Sequence, residues 1–434
     1  MIDRERAEFA RLHPRSRELH ERARGSLLAG VPMSWMTMWA GGHPIYLAHA
    51  SGATLVDVDG NEYADFCLGD TGAMAGHSPD PTMRAIREQA GLTTMLPSED
   101  AAWVGEELAR RFGLPLWQFS LTATDANRWL LRMCRQVTRR PKVLVFNWCY
   151  HGSVDEALVG REGNVGPMVD PAETTRVAEF NEIDSVEAAL AHGDVACLLM
   201  EPALTNIGIV LPEPGFLDAV RELCSRHGTL LIIDETHTLS AGPGGCTAAW
   251  GLEPDAVTLG KSIAGGVPIG AYGVNGELAE RIAAEEDADY EDTGGVGGTL
   301  AGNALSLAAA RATLGEVLTE DAFERMSALR ERFVAGVETT LERHSVPWSI
   351  ASLGARAEYR FSASAPRTGA ESAAAGDRDL EEYLHLYLLN RGVLITPFHN
   401  MALMCPATTE DQVDRHTEVF GEGVASLDRH GHLG

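Results

Sequence analysis

The chain has 434 residues, of which 45% are hydrophobic, 6% aromatic and 22% charged. That composition excludes a disordered chain, a collagen-like repeat and a disulfide-framework miniprotein, and the length fits two or three domains. Lys and Arg number 35 against 62 Asp and Glu, a net charge of −27, which argues against nucleic acid or an anionic membrane as partner.

The charged opening Met1-Ile2-Asp3-Arg4-Glu5-Arg6 has no apolar export core. The apolar runs are strand-sized, far short of the roughly 20 residues of a membrane span. Cys67, Cys134, Cys149, Cys197, Cys224, Cys246 and Cys405 contain no C-x-x-C pair, so reduced thiols and no zinc signature are expected. The expected location is the cytoplasm.

Residues 1–28 read as one amphipathic, Arg/Glu-rich helix. Short strands follow at 44–47, 54–58 and 63–66, the last two joined by the turn Asp59-Gly60-Asn61-Glu62. From about residue 80 the pattern changes. Apolar runs of four or five residues at 143–146, 196–200, 230–233 and 256–259 are separated by 22 to 49 residues with helical stretches between them. Such runs are strands buried on both faces, and their spacing implies a mostly parallel sheet with helical crossovers. Residues 119–127 read as a strand end turning into a helix over 128–135. A helix-rich section starts near 320, with strands at 358–361 and 393–395, a helix at 380–391 and a loop at 366–377. The predicted domains are an N-terminal segment of 1–75, a large α/β domain of 76–318 and a C-terminal α+β domain of 319–434.

Ligands in open α/β sheets sit beyond the carboxyl ends of the strands. There the chain places Tyr150-His151-Gly152, Glu201-Pro202, Asp234-Glu235-Thr236-His237 and Gly260-Lys261-Ser262. Only Lys142 and Lys261 are lysines; every other basic residue is arginine. Lysine can lose its proton and attack a carbonyl, and arginine cannot. A phosphate-binding P-loop ending in Gly260-Lys261-Ser262 needs glycine where Asp255 stands. A desolvated lysine at a strand end can instead form a Schiff base. Asp234 closes a buried strand and needs a cationic partner, which a protonated pyridine nitrogen provides. A helix cap, or a metal site with Glu235 and His237, is the alternative. Thr122 to Asn127 offers backbone N–H groups at a helix start, suited to a phosphate.

Taken in order, these motifs make the chain resemble the class III aminotransferases, which are pyridoxal-phosphate enzymes of fold type I. It is most similar to the branch holding glutamate-1-semialdehyde aminomutase and D-phenylglycine aminotransferase. The resemblance runs from about Pro32 to the C-terminal region. It rests on Gly41-Gly42-His43-Pro44, Val56-Asp57-Val58-Asp59-Gly60-Asn61-Glu62-Tyr63-Ala64-Asp65, Gly76-His77, Tyr150-His151-Gly152, Glu201-Pro202, Asp234-Glu235, Thr258-Leu259-Gly260-Lys261, Gly298-Thr299, Gly302-Asn303 and Leu389-Asn390-Arg391-Gly392-Val393.

The resemblance implies an α/β fold with a central, mostly parallel seven-stranded sheet and a smaller α+β domain built from both termini. It implies that Lys261 carries pyridoxal 5'-phosphate and shuttles the substrate proton. Asp234 would bond the ring nitrogen, Thr236 would lie on that ring face and Tyr150 would stack on the other. Ala123 and Thr124 would hold the phosphate. His151, Glu201 and Asn206 would complete the cofactor set, and no metal is expected. Thr299 would reach the phosphate of the neighbouring subunit, making a homodimer with shared active sites.

The chain departs from the family pattern in places. The usual Ser-Gly-Thr-Glu-Ala phosphate loop is Thr122-Ala123-Thr124-Asp125-Ala126 here, which keeps the N–H donors but loses the freedom of glycine. The aminomutase's carboxylate-binding arginine falls on Trp35, its active-site tryptophan on Asp70 and a C-terminal glutamate on Met401. Trp35, Met36, Met38, Trp39 and Met401 would make an apolar, aromatic-tolerant pocket. The function expected first is therefore transfer of an amino group from an aromatic or bulky amine or amino acid, such as a D-arylglycine, to a keto acid such as 2-oxoglutarate. The alternative is an isomerase of the glutamate-1-semialdehyde aminomutase kind. A silent binding subunit is a third reading, against which Lys261 is retained.

Overall fold

The computed structural model describes residues 1–158, 170–285 and 295–429. They divide into two compact units. The smaller comprises Met1–Pro79, Glu324–Ala365 and the chain from Ala375 onward; the larger comprises Asp80–Phe323 and Pro366–Ala374.

The smaller unit opens with two helices, Ile2–Leu12 and Pro14–Ala23, where one was expected. Pro14 has no N–H and its fixed φ suits the start of a new helix. The first strand also starts later than expected. Strand β1 is Leu47–Ser51, antiparallel to β2 (Thr54–Asp57), which pairs with β3 (Glu62–Asp65). Pro44 cannot donate to a ladder. The carboxylate of Asp57 accepts the N–H groups of Asp59 and Asn61, each at 2.9 Å, and so holds the turn between β2 and β3.

The larger unit is built on seven strands: β4 (Leu116–Ser120), β5 (Lys142–Phe146), β6 (Thr175–Ala178), β7 (Val195–Met200), β8 (Leu230–Asp234), β9 (Ala256–Leu259) and β10 (Gly270–Val274). Their order is β4-β10-β9-β8-β7-β5-β6. Strand β10 is antiparallel to both neighbours, and the other pairs are parallel. All strands except β10 therefore present their carboxyl ends along one edge. Every residue of β7 and β8 is buried, which is why these strands read as unbroken apolar runs.

The Ala123–Thr138 helix covers one face of this sheet. It buries Ala126, Trp129, Leu130, Leu131, Met133 and Cys134 in a cluster with Val143, Val145, Cys197, Leu199 and Ile232. Thr122 caps it, its hydroxyl accepting the Asp125 N–H at 3.1 Å. The helix thus begins five residues before the expected 128.

The C-terminal part adds β11 (Ser349–Leu353), β12 (Arg356–Arg360), β13 (Val393–Leu394) and β14 (Met401–Leu403) to the smaller unit. Strands β11, β12 and β14 form an antiparallel sheet, and β13 pairs in parallel with β3. The predicted loop at 366–377 contains a short helix, Gly369–Ala374, which Thr368 starts by accepting the Glu371 N–H at 3.1 Å. Among the described residues no helix is long and apolar enough to cross a membrane.

Candidate active site

The last residue of β8 is a carboxylate in an apolar strand. Asp234 is 3% exposed. One of its oxygens accepts from Asn127 Nδ2 at 3.0 Å and lies 2.9 Å from His151 Nδ1; the other accepts the Thr236 N–H at 3.0 Å. Burial by itself would raise the Asp234 pKa, but His151, Thr236 and Asn127 outweigh it and pull it down to about 2. Burial would likewise depress His151, yet Cys149 and Asp234 hold it at about 10. Asp234 is therefore an anion across the physiological range, matched by a charged imidazolium.

The carboxyl end of β4 leads through Thr122 into the N-terminus of the Ala123–Thr138 helix. The uncapped N–H groups and positive dipole end of such a helix attract anions. The turn after β5 comes close to it. Gly152 has φ +82°, and a Cβ there would lie 2.0 Å from Thr124 Oγ1, so a glycine is needed for this approach. The Ser153 N–H donates to Thr124 Oγ1 at 3.3 Å.

Strands β8 and β9 are neighbours, with Asp234 opposite Thr258. Three residues beyond Thr258, Lys261 opens a tight turn with φ +53°. A left-handed backbone at a non-glycine residue costs about 1–3 kcal/mol and is concentrated at functional positions. Its Nζ is 2.8 Å from His237 Nε2. A Cβ on Gly260 would lie 3.0 Å from the Ala123 nitrogen, so the lysine turn packs against the start of the helix.

Glu201 follows β7 and is buried; its carboxyl accepts from the Thr205 hydroxyl. Burial pushes its pKa to about 6, with the charge of His151 and the Thr205 hydrogen bond pulling the other way. Asn206 donates to the Trp148 carbonyl at 3.5 Å. Tyr150 is half-buried directly before His151. Glu235 spends its oxygens on Thr238, Cys246 and Thr247, and so serves the turn after β8.

The larger unit thus brings Ala123, Thr124, Tyr150, His151, Glu201, Asn206, Asp234, Thr236 and Lys261 to segments following strand carboxyl ends. Thr299 is exposed in a turn of the same unit. Trp35, Asp70 and Met401 belong to the smaller unit. Trp35 meets Phe398 edge-on at 4.8 Å. Asp70 lies in a run that also holds Leu68 and Thr71 at positive φ, and Met401 is 2% exposed on β14. Trp39, expected in the pocket, packs against the core around Phe9, Tyr63 and Leu386. Asn127, which also holds Asp234, has a role that no motif in the sequence assigns. A buried asparagine inside an apolar helix face is the signal that marks it.

These residues fit pyridoxal phosphate. A carboxylate offers about four lone-pair positions, and Asp234 uses three, leaving one for the N–H of a pyridinium ring. Thr236 Oγ1 is buried with no hydrogen bond among the described residues. The close approach of Gly152 to Thr124 at a helix N-terminus suits a phosphate.

The family model of the class III aminotransferases matches residues 37–422. The glutamate-1-semialdehyde 2,1-aminomutase of Roseiflexus castenholzii is 34% identical over 404 residues, covering 88% of this chain and 90% of that protein. A crystal structure described as a glutamate-1-semialdehyde-aminomutase from Pseudomonas aeruginosa PAO1 is 50% identical, with a TM-score of 0.96 over 98% of this chain and 97% of that one. A lysine-to-alanine variant of it was crystallised in complex with PMP. The β-phenylalanine aminotransferase of Variovorax paradoxus is 26% identical, with a TM-score of 0.86 over 100% of this chain and 99% of that one.

Proposed function

The chain belongs to the class III aminotransferases and is a pyridoxal-phosphate enzyme, and from that premise we propose that it moves an amino group within one carbon skeleton, as an aminomutase of the glutamate-1-semialdehyde type. The observation that carries this reading is the similarity, at 50% identity and a TM-score of 0.96, to the Pseudomonas aeruginosa structure of that description. The curated relative from Roseiflexus castenholzii supports the same reading. The order of the two functions expected from sequence is thereby reversed.

Pyridoxal phosphate, when bound, supplies an electrophilic aldehyde carbon and an electron-accepting ring. In our reading Asp234, held anionic by His151, keeps the proton on the ring nitrogen. Thr236 lies against one face of the ring and Tyr150 against the other. Ala123 and Thr124 hold the phosphate with backbone N–H groups and a hydroxyl. Lys261 holds the cofactor and, once released, takes the proton from the substrate carbon and delivers it to the neighbouring position. Glu201 and Asn206 border the ring substituents. General acid–base work of this kind typically contributes about 10²–10⁴-fold.

The test is conversion of a single amino-aldehyde, glutamate 1-semialdehyde, by the holoenzyme without any keto acid. We expect an amino ketone of the same formula. Turnover that appears only when 2-oxoglutarate is added overturns the proposal in favour of intermolecular transfer. A specific observation favours that second reading: Trp35 stands where the aminomutase arginine is expected, and it packs on Phe398 at 4.8 Å, a surface suited to an aromatic donor.

We further propose a homodimer and a cytoplasmic location. Leu92, Met95, Leu96 and Leu300 are exposed apolar residues of the larger unit, as a subunit contact near Thr299 would require. The seven cysteines are free thiols, which suits a reducing compartment.

A further inference from the structure

Asp234-Glu235 is followed by Thr236-His237-Thr238. The structure brings this segment to Lys261. His237 Nε2 lies 2.8 Å from Lys261 Nζ. At that distance one nitrogen must present a lone pair and the other an N–H, so the pair shares one proton between them. The other titratable groups around this end of the sheet are already committed. Asp234 is held by Asn127, His151 and Thr236. Glu235 is held by Thr238, Cys246 and Thr247. Glu201 is held by Thr205, and Tyr150 sits beside His151 on the turn after β5.

An amine attacks an aldehyde only through its lone pair, so an ammonium must first give up a proton. An ordinary lysine does so near pH 10.4, whereas an imidazole takes up a proton near 6.5 and is free to accept one at neutral pH.

We propose that His237 is the positioning residue for Lys261: it takes the proton that Lys261 sheds on becoming a nucleophile, returns it when the amine is released, and holds Nζ in place between the two events. This rests on Lys261 being the cofactor-bearing amine. The balance is closed. The ammonium proton passes from Nζ to Nε2. Nζ then donates its lone pair to the aldehyde carbon, and its two remaining protons leave with the aldehyde oxygen as water.

The experiment follows the absorbance gained when the cofactor-stripped full chain takes up pyridoxal phosphate, between pH 6.5 and 10.5, for wild type, His237→Gln and His237→Phe. Glutamine keeps a hydrogen-bonding group but takes no proton in this range. Both variants should capture cofactor about 10²-fold more slowly at pH 7, the low end of a positioned base's contribution. The gap should narrow toward pH 10.5, where about half of an ordinary lysine is neutral without help. His237→Gln capturing at the wild-type rate at pH 7 overturns the proposal. So does a deficit that is constant with pH, which marks lost packing. A Lys261→Ala chain that still gains the absorbance band overturns the lysine assignment itself, and is thereby told apart from failure of the histidine alone.

Discussion

His151 Nδ1 lies 2.9 Å from the carboxylate of Asp234, with both side chains buried. Each holds the other in its charged form, so the pair is a fixed negative charge with its own counter-ion. Asp234→Asn removes the charge that would hold a ring proton. Turnover should fall by about 10²–10⁴-fold while the cofactor is retained. Each substitution, His151→Asn as much as Asp234→Asn, leaves its partner as a buried charge alone, so both should lower stability by about 3–5 kcal/mol, with the larger loss of turnover in Asp234→Asn. Steady-state rates and urea titration of the two variants check this.

The pH dependence of stability follows from the same groups. Asp234, lowered to about 2, contributes stability that is full above the unfolded value of about 3.9 and is lost as pH falls through 2. His151, raised to about 10, contributes stability that is full below about 6.5 and is lost as pH rises through 10. Glu201, raised from 4.5 to about 6, contributes stability that is full below 4.5 and lost as pH rises through 6. The wild type should therefore lose up to about 2 kcal/mol between pH 4.5 and 7, and Glu201→Gln should remove that slope. Urea midpoints across this range decide the matter.

Gly152→Ala places a methyl 2.0 Å from Thr124 Oγ1 at a backbone φ of +82°. Thr124 must move away from the helix N-terminus, and alanine adds roughly 1–2 kcal/mol of backbone strain. We expect cofactor retention after dialysis to weaken by at least about tenfold, or about 1.4 kcal/mol. Adding Thr124→Ala removes the hydroxyl but leaves the Thr124 Cβ position 2.8 Å and Cα 3.0 Å from the new methyl, so the double variant should remain weak.

Thr122→Ala removes the cap of the Ala123–Thr138 helix, whose hydroxyl accepts from Asp125 N at 3.1 Å and donates to Asp125 Oδ2 at 2.9 Å. A loss of about 1 kcal/mol is expected by chemical denaturation. Thr122→Ser should recover most of it.

How far these features could be read in advance depended on burial. Strands β5, β7, β8 and β9 are enclosed on both faces, so their apolar runs stand out. Strand β10 does not, because Gly273 faces Trp117 and a Cβ there would come within 2.5 Å of the indole. Glycine is a poor strand signal, yet here the neighbouring strand's side chain demands it. Strand β6 sits at the sheet edge with Val177 exposed, and its four residues carry little pattern.

At the site, Asp234 and Lys261 were legible as polar residues ending apolar strands. Asn127 was not, and His237 was legible only as part of a metal-site alternative, since their contacts join elements 107 and 24 residues apart in sequence. Trp39 is partly buried against the cluster around Phe9, a contact that an aromatic near a methionine run does not announce in sequence.

The central claim is that Lys261 carries the cofactor. Lys142 is the other lysine, and it lies at the start of β5, 3.4 Å from Asp194. Borohydride reduction of the holoenzyme, followed by peptide mass analysis, tests the claim most directly. One added pyridoxyl phosphate per chain is expected on the peptide holding Lys261. The mass on the Lys142 peptide, or on neither, contradicts it.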